Sequence, residues 1–176
     1  MDAHIMKLIV PTLSLRESFL SMARDLEAQG HWGWYPSPSE LERTFPAFLD
    51  RLTKAERGVV SDPQEVPSTQ RWMVVGNEVV GRIGVRHDLN DELRLRGGHI
   101  GYAVMRAHQR KGYGTHALAQ ALPIARALGL AHVLITCDDD NVGSIRVIEA
   151  NGGVLRDTIV VPERTVPTRR YDIALS

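Results

Sequence analysis

A chain of 176 residues, 43% apolar and 24% charged, has the size and make-up of one globular domain. Twenty-one Lys and Arg balance twenty-one Asp and Glu, so the formal net charge is zero; this argues against a dedicated nucleic-acid or membrane-surface binder, which would carry a basic excess. No run reaches the ~18 uninterrupted apolar residues that span a bilayer, the first residues lack the apolar core of a signal peptide, and the single cysteine, Cys137, cannot close an intrachain disulfide, which fits a reducing cytoplasm.

Met1–Ile5 reads as an extension ahead of a second possible start, Met6. Leu8–Val10, closed by Pro11, reads as a first strand. From Ser14 the spacing turns helical: Leu15, Phe19, Met22, Ala23 and Leu26 share a face, and Gly30 ends the segment. A second helix begins near Ser39 with Leu41, Phe45, Phe48, Leu49 and Leu52 on its buried stripe, and Pro46 predicts a kink or break. The loop between these helices holds Trp32, Trp34 and Tyr35.

Arg71–Val75 and Val79–Val85 flank Gly76-Asn77, the pattern of an antiparallel hairpin. Gly97-Gly98 precedes a further strand, His99–Met105. Thr115–Leu128 predicts a helix kinked at Pro123, His132–Thr136 a strand, and Val142–Asn151 a helix capped by Asn141 or Asp140 and stopped by Gly152. Val154–Val161 and Arg170–Leu175 close the chain as strands. The order predicts a single α/β domain over residues 1–176: a mixed, mostly antiparallel sheet of about seven strands with about four helices on its faces.

The most informative stretch joins the strand ending near Met105 to the helix after Thr115. Gly112 and Gly114 leave main-chain N–H groups free to converge, and the helix start adds unpaired N–H groups and partial positive charge. Arg110 and Lys111 add full charges beside them, so the segment suits a pyrophosphate. A Gly-x-Gly at such a junction can also be turn chemistry alone. Gly112-x-Gly114-x-x-Ala117 with Asp138 at the end of the next strand imitates a dinucleotide fingerprint. That reading fails on two counts. A charged loop separates the strand from the first glycine, and the 38 residues after Asp138 lack the further βαβ units that fold needs. No Walker A sequence, H-E-x-x-H motif or Cys/His metal-ligand spacing occurs.

Gln109-Arg110-Lys111-Gly112-Tyr113-Gly114 resembles the pyrophosphate motif Q/R-x-x-G-x-G/A of the GNAT superfamily of acetyl-CoA-dependent N-acetyltransferases. Asn141-Val142-Gly143-Ser144, followed by Asn151-Gly152-Gly153, resembles that family's second motif, and the order of elements resembles its fold over nearly the whole chain. Arg86–Asn90 and Gly97–Tyr102 look like a bacterial subgroup of predicted acetyltransferases. The resemblance implies acetyl-CoA as co-substrate, with no metal. It implies that the backbone at Tyr102, Ala103 and Val104 pairs with the pantetheine arm and that Gln109, Arg110, Lys111, Gly112, Tyr113, Gly114 and Thr115 hold the pyrophosphate. Asn141 and Ser144 would contact the cofactor, although Asn141 also reads as a plain helix cap.

The chain departs from the family at two positions. Where many members carry a tyrosine acid it has Ile148, and where many carry a glutamate base it has Gly98, with His99 next to it. His99 is therefore the first candidate base, with a histidine that merely satisfies the sheet as its rival; His87 and Tyr102 follow. Cys137 reads as a buried structural thiol, and Asp138–Asp140 as a solvated helix start. The aromatic loop could line an acceptor pocket or serve as core or lid. Arg164, Arg169 and Arg170 could meet an acidic acceptor or form a solvated face. The expected reaction is acetylation of a small-molecule primary amine; a protein N-terminus or lysine is the alternative acceptor, and a non-catalytic acetyl-CoA-binding regulator is the alternative class. Many proteins of this fold are homodimers, and the same assembly is an expectation for this one.

Overall fold

The computed structural model describes residues 5–33 and 35–176, so Trp34 and all but Ile5 of the proposed extension lie outside the described residues. Strand β1 (Lys7–Ile9) pairs antiparallel with β2 (Ser68–Val75), Leu8 opposite Met73. β2 returns into β3 (Glu78–Arg86) across Gly76-Asn77, where Gly76 takes φ +61°, a conformation that favours a residue without a Cβ. β3 pairs antiparallel with β4 (Ile100–Val104), completing a meander in the order β1-β2-β3-β4. A second sheet has the order β5-β7-β6, built from β5 (His132–Asp138), β6 (Val154–Ile159) and β7 (Thr168–Ala174).

Seven strands were expected, but as one mixed sheet. They form sheets of four and three, and each paired neighbour in them is antiparallel. The sheets meet at one antiparallel bridge between Gly98 and Ile135. Beyond it β4 and β5 do not pair, so β4 keeps a free edge toward β5.

Helices α1 (Arg16–Ala28) and α2 (Pro38–Glu56) cover one face of the first sheet. Their apolar stripes place Phe19, Phe45 and Phe48 around Trp72 of β2, with Phe19 stacked on Trp72 at 4.3 Å between ring centroids. Side chains of this size contribute roughly 1.5–3 kcal/mol each on full burial, so the aromatic cluster anchors both helices. A five-residue helix, α3 (Asp91–Leu95), was not anticipated: it is too short for a helical period to register, and only Leu93 is buried on it. The Asn90 side chain caps it by accepting the Leu93 N–H at 2.9 Å. Helix α4 (Tyr113–Ala127) packs Ala117, Leu118, Ala121 and Ala125 on the opposite face of the first sheet, and α5 (Val142–Ala150) buries Ile148 in the same core.

The kink expected around Pro46 is present, and the one expected at Pro123 is not. α2 runs through Pro46, and the distortion falls at Thr44 (φ −120°, ψ 16°). Proline has no N–H to bond the carbonyl four residues back; that carbonyl, of Glu42, instead accepts from the Arg16 guanidinium at 2.5 Å. α4 continues through Pro123 without a non-helical residue. The carbonyl left free there belongs to Ala119, on the exposed side where solvent meets it.

Candidate active site

The turn from β4 into α4 begins with Met105 and a 3-10 turn, Arg106–His108. Arg110 (φ 59°) and Gly112 (φ 82°) both take left-handed backbone conformations, which turn successive N–H groups toward one side. Gly112 is the N-cap of α4 and offers no side-chain cap. Among the described residues, the N–H groups of Arg110, Gly112, Tyr113, Gly114 and Thr115 find no acceptor in the protein. Arg110 and Lys111 are exposed and form no ion pair with a described residue. The result is a pocket of free donors and positive charge at a helix start, with no anion supplied by the chain.

The two glycines differ in task. A Cβ on Gly112 would meet nothing within 4 Å, so its role is conformational. A Cβ on Gly114 would stand 3.3 Å from Val147 Cγ2, so this glycine lets α4 approach α5. Gln109 Nε2 donates to the Val104 carbonyl at 3.1 Å and to Gln29 Oε1 at 2.8 Å, tying the turn to β4 and to the end of α1.

Met105 N–H donates to the Val80 carbonyl, and the His99 carbonyl accepts from Arg86, so odd-numbered positions of β4 face β3. Main-chain groups alternate along a strand. Tyr102 and Val104 therefore turn their N–H groups to the free edge, beside the turn that Gln109 fastens. Ala103 faces β3 with its backbone and the α1–α2 side with its methyl group.

His99 lies where the sheets join. It is 8% exposed; its N–H donates to the Leu134 carbonyl at 2.7 Å, and its Nδ1 accepts the Leu134 N–H at 2.9 Å. Burial depresses its pKa below the usual histidine value. An imidazole that accepts at Nδ1 carries its hydrogen on Nε2 and has no lone pair left to take a proton. The geometry thus favours the structural role over the catalytic one. Gly98 explains the missing glutamate: it takes φ +61°, and a Cβ there would lie 2.3 Å from the Leu134 carbonyl oxygen. His87 bonds Thr69 Oγ1 through Nε2 at 2.9 Å, away from the β4 edge.

The Tyr102 ring packs beside Gly114, and its hydroxyl lies 3.5 Å from the Ser144 carbonyl. Burial pushes its pKa up to about 12, so at neutral pH it can donate a hydrogen bond but cannot act as a base. Asn141 Oδ1 accepts the Ser144 N–H at 3.0 Å and so caps α5. Burial raises the Cys137 thiol to about 11, which keeps it unreactive. Asp138 and Asp139 are not freely solvated: Asp138 pairs with Arg164 at 2.8 Å and Asp139 with Arg169 at 2.5 Å, while Asp157 holds Arg170. Those three arginines are thereby engaged within the chain. Ile148 is fully buried and has no part in the site.

A cleft of about 400 Å³ opens on the α1–α2 side of the first sheet. Its floor is Gln70, Arg82, Gly84, Arg86 and Gly101; α2, residues 62–66 and α3 wall it. Tyr35 lines it and donates its hydroxyl to Gln70 Oε1 at 2.8 Å, whereas Trp32, 5% exposed, belongs to the core. Sequence reading missed Arg82 and Arg86. The signal was present in Arg82-x-Gly84-x-Arg86, which puts both guanidinium groups on one face of a strand.

The sequence matches the family model of the acetyltransferase (GNAT) domain over residues 7–154. No curated protein sequence matches it significantly. Among solved structures, a protein described as a probable acetyltransferase superposes with a TM-score of 0.73 at 16% identity, covering 98% of this chain and 93% of the other. The microcin C7 self-immunity acetyltransferase, solved with acetyl-CoA and AMP, gives 0.68 at 13% identity over 99% and 97%. The Salmonella typhimurium acetyltransferase that modifies the N-terminal serine of ribosomal protein L7/L12 gives 0.67 at 17% over 97% and 95%. The family match spans most of the chain and the fold agrees throughout: this protein belongs to the GNAT acetyltransferases, acyltransferases that draw their acetyl group from acetyl-CoA.

Proposed function

We propose that this enzyme acetylates the primary amine of a small molecule by direct attack on the acetyl-CoA thioester. The observation that carries the reading is the set of unpaired N–H groups at Arg110 and Gly112–Thr115 beside the free edge of β4. The pyrophosphate takes those donors, with Arg110 and Lys111 adding charge. Gln109 holds the turn against Val104, and the pantetheine arm runs along Tyr102–Val104 as an added strand would. Asn141 and Ser144 lie at the start of α5, where the arm passes between the sheets.

The acceptor enters from the cleft. An alkyl ammonium near pKa 10 first loses a proton to water there, because His99 has no free lone pair for it. The nitrogen lone pair then forms the new C–N bond. The carbonyl electrons collect on oxygen, which accepts the Val104 N–H. When they return, the C–S bond breaks and CoA departs as a thiolate; water carries the nitrogen's surplus proton to sulfur. Tyr102 holds its proton more tightly than a thiol does, so it hydrogen-bonds the departing sulfur without being ionised.

The fold serves acceptors as different as a ribosomal protein's N-terminal serine. Here the walls of α2, residues 62–66 and α3 favour a small acceptor. Thiol release from acetyl-CoA, measured with a panel of small amines and unstructured peptides, tests this. Turnover confined to small amines is expected; turnover confined to peptides would overturn the small-molecule reading.

A further inference from the structure

The acceptor cleft contains positive charge that the chain does not neutralise. Of its lining residues, Arg51 pairs with Glu65 and Asp62 is exposed. Arg82 and Arg86 have no carboxylate partner among the described residues. The Arg82 guanidinium lies over the Tyr35 ring at 4.5 Å and the Trp32 ring at 5.5 Å. Its hydrogen bond to the His31 carbonyl is long at 3.4 Å, and its Nε is buried with no partner among the described residues. With one long hydrogen bond and no carboxylate partner, the Arg82 guanidinium keeps Nη donors to offer an acceptor in the cleft.

Arg86 directs Nη1 at the Gly97 and Gly98 carbonyls, at 3.2 and 2.9 Å, which positions its guanidinium above Gly101. Burial lowers its pKa; Tyr35 acts against that and the nearby charge of Arg82 with it. Between the arginines the floor carries no side chain of its own strands at two positions: Gly84 and Gly101 are direct partners across β3 and β4. Gly84 cannot carry a side chain because the Gln70 amide crosses it, 2.5 Å from where a Cβ would lie. Two cations thus flank the Gln70 amide, with the Tyr35 ring on one side. Gly101 stands three residues, roughly 10 Å, along β4 from Val104.

Resting on the acetyltransferase reading above, we infer that the acceptor is a small amine that also carries an anionic group, a carboxylate or a phosphate, which Arg82 and Arg86 bind between them in the cleft, beside the Gln70 amide. The amine then projects along β4 to the thioester. Arg82 determines specificity: its planar fork matches carboxylate and phosphate oxygens, and its stacking on Tyr35 fixes the fork in place.

The test combines thiol release with calorimetric titration, done with and without CoA. The probes are aminoalkyl carboxylates from β-alanine to 6-aminohexanoate, aminoethyl phosphate, the uncharged amides of the carboxylates, diamines of equal length, and peptides beginning with Asp or Glu. Anionic amines are expected to exceed their amides at least tenfold in kcat/KM or in affinity; the carboxylate and phosphate arms show which anion is preferred. Arg82→Gln should erase that ratio and Arg82→Lys should keep part of it, with acetyl-CoA affinity unchanged in both. The ratio within each variant does not depend on how much of the protein is folded. Equal or better use of amides or diamines, preference for the acidic peptides, or an unaltered ratio in Arg82→Gln would overturn the inference. Anion binding without acetyl-CoA binding would instead sink the proposed transfer and leave the anion site standing.

Discussion

His99 and Leu134 bond each other twice: main-chain N–H of His99 to the Leu134 carbonyl at 2.7 Å, and main-chain N–H of Leu134 to His99 Nδ1 at 2.9 Å. With the Gly98–Ile135 bridge, this joins the two sheets at the point from which β4 and β5 separate. The free edge of β4 exists because the join stops there.

The neutral ring of His99 is the form that accepts from Leu134, and its folded pKa lies below the ordinary 6.5. Below pH 6.5 the unfolded chain therefore binds a proton that the folded chain refuses. The stabilisation is fully present above about pH 6.5 and is lost as pH falls toward the lowered folded value, at no more than about 1.4 kcal/mol per pH unit for this group. Urea unfolding between pH 5 and 8 should show that loss, and His99→Ala should lessen its slope. The variant should be about 1–3 kcal/mol less stable at pH 7.5, since it leaves the Leu134 N–H without its partner. The pH profile of turnover should keep its shape. A profile flattened near neutrality would return His99 to the reaction.

Gly112→Asp should fold, because a side chain there enters open space, with a left-handed backbone strain of about 1–2 kcal/mol. It would set a carboxylate against the amides that face the pyrophosphate. Calorimetry should show acetyl-CoA affinity reduced at least about a hundredfold, roughly 2.7 kcal/mol. Gly112→Ala, with the strain but not the charge, should lose much less. Equal affinity in Gly112→Asp and the parent protein would place the phosphates elsewhere.

Gly98→Ala should destabilise the fold by about 2–4 kcal/mol, combining left-handed strain with a collision against the Leu134 carbonyl. The urea midpoint reads this directly. A shift below about 0.5 kcal/mol would mean that the two sheets can move apart there without penalty.

Tyr102→Phe should reduce kcat about tenfold and leave the acetyl-CoA dissociation constant within twofold, because the hydroxyl assists the departing sulfur and the ring provides the packing. With a pKa of about 12, it should produce no alkaline limb below pH 10. An undiminished kcat would confine Tyr102 to packing.

Local patterns in the chain were sufficient for most of the elements. The stripe of Phe19, Met22 and Leu26, the Gly76-Asn77 reversal and the Gly112–Thr115 turn are read within short windows, because helical period, turn dihedrals and helix starts depend on near neighbours. α3 escaped because one buried leucine makes no period. What needed the assembled molecule were the relations between distant segments. That Gly98 yields to Leu134, that His99 gives its lone pair to a main-chain amide, and that Arg82 and Arg86 line one cleft while Arg164, Arg169 and Arg170 are already paired all depend on residues brought together from far along the chain. A histidine or an arginine has the same letter whether its partner is solvent, a carbonyl or a substrate. Its environment determines which of these it meets, and that environment forms only when the sheets and helices pack.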